Sequence, residues 1–106
     1  MNFSLLEKMA VLKAVDEVLM ADGHIDVGEI AYLTQILNQF DEEMEFIQEA
    51  RSLKSAHASE ILKSMNSSKK IALYVMMKDM GEADGKIDLE EWEVILSVLD
   101  IAGINL

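Results

Sequence analysis

An all-α fold is predicted: a compact bundle of about six to seven helices, built from two pseudo-symmetric helix-turn-helix halves. Three observations carry this. The 106-residue chain contains no proline, its apolar residues recur at spacings of three and four, and one short motif occurs twice. Ala21-Asp22-Gly23-His24-Ile25-Asp26-Val27-Gly28-Glu29 returns, 62 positions later, as Ala83-Asp84-Gly85-Lys86-Ile87-Asp88-Leu89-Glu90-Glu91. Helical pattern flanks both copies, so each is read as the turn of one half. The connections are too short for a linker, which makes residues 1–106 one domain. Repeat one covers about 8–40, connecting helices about 41–66, and repeat two about 70–102.

Ser4 followed by Glu7 forms a capping-box pattern that opens the first helix. That helix runs to about Met20, with Leu5, Met9, Leu12, Val15 and Leu19 inward. Gly23 ends it. Asp26 with Glu29 opens a second helix through Ile30, Leu33, Ile36 and Leu37. Asp41 is read as the start of a third, carrying Met44, Phe46, Ile47, Ala50 and Leu53, and a short fourth holds Ile61, Leu62 and Met65. Asn66-Ser67-Ser68 caps a fifth, Ile71 to Met80. After the second Asp-Gly turn, Asp88 opens a sixth that reaches about Ile101 and stops at Gly103.

Composition excludes several classes of function. With no cysteine there is no disulfide, no thiolate metal site and no cysteine nucleophile, in keeping with a reducing cytoplasm. A net charge of −11 argues against nucleic acid, which is bound by neutralising phosphates with Lys and Arg. The apolar run Ile71 to Met77 is far shorter than the ~20 residues of a spanning helix, and Met1-Asn2-Phe3-Ser4 lacks the basic start of a signal peptide. The expectation is therefore a cytoplasmic protein without membrane insertion. Its charge is uneven, because Arg51, Lys54, Lys63, Lys69 and Lys70 face a single acid, Glu60, in their stretch.

The repeated acids are the candidates for chemistry. Asp26 and Asp88 stand at N-cap positions, and Glu29 and Glu91 can reach back to the cap amide, an arrangement that contributes ~1 kcal/mol per helix. Capping leaves lone pairs free, since a carboxylate has about four. Asp22 and Asp84 are harder to explain by stability. Each sits near a helix C-terminus, where the macrodipole disfavours a negative charge by roughly 0.3–1 kcal/mol. Two readings compete for them: an Asx-turn onto a nearby backbone N–H, or a cluster of acids that asks for a divalent cation.

Aligned on Gly23 and Gly85, the motif shares a glycine, an isoleucine and a closing glutamate with the EF-hand calcium loop. The first ligand slot falls on Val18 and Met80, and the next on Met20 and Glu82. Two working EF-hands are not expected from such loops. The doubled Ala-Asp-Gly turn, the middle pair of helices and the closing Leu99-Asp100-Ile101-Ala102-Gly103-Ile104 instead resemble the TerB-like family. That family is named for a bacterial tellurite-resistance protein and is similar to the cytosolic domain of membrane-anchored DnaJ-type co-chaperones. The resemblance covers nearly the whole chain. It implies a stress-associated, tellurite-resistance-type protein that holds a divalent metal (Ca, Mg, Mn or Zn) at Asp22, Asp26, Glu29, Asp84, Asp88 and Glu91. It further implies a protein assembly, with peripheral membrane association.

Other candidates are weaker. His24 aligns with Lys86, so no imidazole is common to both turns, and His57, in a Ser/Ala-rich helix start, lies far in sequence from any nucleophile pair. No triad order or phosphate loop is visible, which points away from an enzyme. Met76, Met77, Met80 and Trp92 are read first as core. The principal alternative is a helical protein-protein interaction or homodimerisation module whose acidic turns are only caps.

Overall fold

The computed structural model describes residues 2–105; Met1 and Leu106 lie outside it. Six helices follow one another: α1 (Leu5–Met20), α2 (Val27–Gln39), α3 (Phe46–Ser52), α4 (Ser55–Ser64), α5 (Ser67–Glu82) and α6 (Leu89–Ala102). No strand occurs among the described residues, and none of these helices is long and apolar enough to cross a membrane.

The centre of the bundle is α1. Ala10, Val11, Leu12, Ala14, Val15, Val18 and Leu19 point in several directions around it, yet all are buried, which is how a helix surrounded by others reads in sequence. Helices α3, α4, α5 and α6 all pack on it. The second helix of each half leans on the other half: α2 packs on α5, and α6 on α1 as well as on its own α5. Near the far ends, Lys69 Nζ meets Glu7 Oε1 at 2.8 Å, a contact between positions 62 apart that ties the two halves at equivalent places.

Most helix boundaries match their sequence signals. Ser4 and Glu7 form the expected capping box, and Asn66 Oδ1 accepts from the Lys69 amide at 2.9 Å. Gly103 closes α6 with φ 71°. The third helix does not start at Asp41. That residue adopts a left-handed φ of 59° and lets the Glu42 amide donate to the Leu37 carbonyl at 2.9 Å. Such a bond terminates a helix, so Asp41 closes α2 and α3 begins five residues later.

Three residues expected inward are exposed. Leu5 lies at the projecting first turn of α1, and Met44 in the turn before α3. Ile30 is displaced because Glu29, only 1% exposed, takes the inward place in that turn of α2. Trp92 is partly buried against the core in the same way, beside a fully buried Glu91.

Candidate metal centre

Both Asp-Gly turns reverse the chain through glycine at positive φ, Gly23 at 77° and Gly85 at 121°, where a side chain would be strained. Each turn feeds a capped helix. The Asp26 carboxylate accepts from the Glu29 amide at 2.8 Å while Glu29 Oε1 accepts from the Asp26 amide at 3.0 Å. Asp88 and Glu91 repeat the exchange at 2.9 and 3.0 Å. The caps therefore form as the sequence indicates, and each uses one oxygen of its glutamate.

The second oxygen is left over. Among the described residues, Glu29 Oε2 and Glu91 Oε2 are buried without a hydrogen-bond partner, although an unmet buried polar atom costs roughly 1–3 kcal/mol and more when charged. Desolvation accordingly pushes both carboxyls up, assisted by the neighbouring aspartates. The amide bonds from Asp26 and Asp88 oppose the rise, but Glu91 still reaches about 7. Asp22 and Asp84 contribute repulsion to both glutamates, so the two turns and two caps share one electrostatic neighbourhood.

Within it, Asp22, Asp88 and Glu91 each place an oxygen within 4.8 Å of the others. The grouping crosses the halves, joining the first turn to the second cap. Asp26, Glu29 and Asp84 stand outside this trio. Asp22 Oδ1 also accepts from the His24 amide at 2.9 Å, the Asx-turn of one competing reading. That bond first of all lowers its carboxyl below the ordinary range. Asp88 moves the other way. The Glu91 amide draws it down, but desolvation and Asp22 outweigh that pull. An Asx-turn and a ligand role are compatible at Asp22, because one bond leaves further lone pairs available.

Sequence reasoning placed each acid at its turn but missed the exchange of partners between halves. It also missed why Gly28 differs from Glu90. A Cβ at Gly28 would overlap the Ala83 carbonyl oxygen, so the start of α2 closes against the second turn. A signal was present in the departure of Gly28 from the repeat. Another asymmetry follows from Gly81, which is buried against Ile87. Its counterpart is the buried Leu19, and Ile25 stays outside, 51% exposed.

Three carboxylates from two halves, with a buried oxygen left unmatched, define a class: an all-helical domain with an acidic crossing of two turns that could hold a metal ion. No family model matches the sequence, and no curated protein matches it. The fold is shared with the crystal structure of a protein of unknown function, PG1108, from Porphyromonas gingivalis W83. The TM-score is 0.79, at 23% identity, over 100% of this chain and 89% of that one. At this identity the likeness establishes the fold alone.

Proposed function

We propose that this protein is a TerB-like, non-enzymatic cytosolic stress-associated domain whose acidic crossing binds a hard divalent cation. The observation that carries the proposal is Glu91, a fully buried carboxylate grouped with Asp22 and Asp88, whose second oxygen has no hydrogen-bond partner among the described residues. A cation would replace repulsion with coordination at that point, and an all-carboxylate donor set suits Ca, Mg or Mn better than a softer ion. Asp26, Glu29 and Asp84 supply further negative charge from the pseudo-symmetric side.

Thermal melts with calcium, magnesium, manganese and zinc test this, with sodium at matched ionic strength as the control for general screening. A cation that binds only the folded state adds about 2.7 kcal/mol at a hundred times its dissociation constant, which should raise the melting temperature by roughly 10 °C or more. Replacing both Asp22→Asn and Asp88→Asn should remove the specific part and leave the fold, since Asn retains Asx-turn and N-cap geometry. An unchanged divalent response in that double variant rejects the centre.

The interaction-module reading keeps one specific support. Val27 and Leu89, equivalent first residues of α2 and α6, are 86% and 69% exposed on either side of the crossing. A change of molar mass in light scattering on adding the cation would join the two readings. A concentration-dependent dimer indifferent to cation and to the double variant would favour the module alone.

A further inference from the structure

A cavity of about 400 Å³ lies between α1, α4 and α6 and shares no residue with the six acids of the turns. Its existence follows from the asymmetry at the crossing. Where Gly28 lets α2 close against Ala83, the equivalent pair is Glu90 and Ala21, and both line the opening.

The cavity has two unlike ends. Asp22, just past α1, meets Asp88 and Glu91 at the start of α6. Gly103, past the end of α6, lies against Lys70, whose neighbour Lys69 pairs with Glu7 in the first turn of α1. Helices α1 and α6 are therefore antiparallel, and the lining residues sort along them. Glu17, Ala21, Glu90 and Glu93 come together toward the turns, while Ala10, Ile101, Val98 and Leu62 form the opposite end. Among the described residues, none of the three glutamates has a basic group at ion-pair distance. Lys13 also lines the cavity, but its Nζ donates to the Arg51 carbonyl at 3.4 Å.

We propose that this cavity binds a small organic cation carrying an apolar chain, with its ammonium or guanidinium held by Glu17, Glu90 and Glu93 and its chain laid toward Ala10, Val98 and Ile101. Charge complementarity sets the head group, and the alanine, valine and isoleucine end sets the tail. Size selects a small molecule over a protein. The volume falls within the range of small-ligand pockets, roughly 300–1,000 Å³, whereas a stable protein interface needs ~1,200 Å² or more of buried surface. Glu17, Glu90 and Glu93 are exposed at the mouth of the cavity, and desolvation raises the Glu17 carboxyl against the pull of Lys13, so a cation seated there would favour its ionised form.

The test follows backbone amide shifts of the whole protein in chelator, with n-octylammonium as probe and octanoate as its anionic counterpart. Octylammonium should give saturable shifts along α1, α4 and α6, and octanoate should bind at least about tenfold more weakly. Glu17→Gln with Glu93→Gln should weaken octylammonium by about tenfold, as expected for hydrogen bonds to charged groups. Ser97 is an exposed lining residue, so Ser97→Trp should fill the cavity and abolish binding while keeping the melting temperature. Asp22→Asn with Asp88→Asn should leave octylammonium binding intact, which separates this site from the metal centre. Equal binding of octanoate, indifference to the glutamine pair, or response only to a basic peptide would each overturn the proposal. The octanoate and glutamine comparisons decide it even if the tryptophan variant does not fold.

Discussion

Glu29 and Glu91 occupy places in their helices where the core would otherwise receive an apolar side chain, and this has a consequence for acid stability. The folded Glu91 carboxyl holds its proton up to about 7, against an ordinary value of 4.5. Between those values the folded state binds more protons than the unfolded chain, so this group makes stability fall as pH rises through the window. Glu29, also raised, acts in the same direction. Urea melts in chelator should therefore give higher stability at pH 5 than at pH 7.5, and Glu91→Gln should flatten the difference. A parent protein whose stability rises steadily over that interval would show that Glu91 ionises freely inside the fold. Saturating divalent cation should also abolish the fall, by favouring the ionised form.

At the scale of elements, helix ends were the most legible feature of the sequence. Ser4/Glu7, Asp26/Glu29 and Asp88/Glu91 all form capping boxes, because a cap depends on residues three apart and needs no knowledge of the rest of the chain. Asp41 was misread because an Asp before a helical stretch also fits the left-handed position that ends the preceding helix, and the deciding bond is a backbone one from Glu42 to Leu37. The acidic crossing was half legible. Its residues follow from the repeat, but joining Asp22 with Asp88 and Glu91 depends on how the halves pack. Gly28 offers a direct test of that packing. Gly28→Ala places a methyl against a backbone carbonyl that cannot rotate away, and should cost about 1–3 kcal/mol in a denaturant melt. Glu90→Ala, at the equivalent exposed position, should stay within ~0.5 kcal/mol. Equal effects of the two changes would mean that α2 and α6 approach the opposite turns alike.

The molecule as a whole gains its core through the exchange of second helices, α2 on α5 and α6 on α1. That arrangement governs how the chain can assemble. While the protein is being synthesised, α1 cannot be fully covered until α6 has left the ribosome, so the first half waits as a partly ordered intermediate with apolar surface exposed. Fragments cut after Leu53 should then behave as complementary pieces. Residues 1–53 and 54–106, each weakly helical alone, should recover helical signal when mixed in equal amounts, beyond the sum of the two separate spectra. A first fragment that is fully helical and monomeric by itself would show that α1 and α2 need no partner. Otherwise, a single chain-cleavage between α3 and α4 yields two pieces that find each other through the faces each half cannot cover for itself.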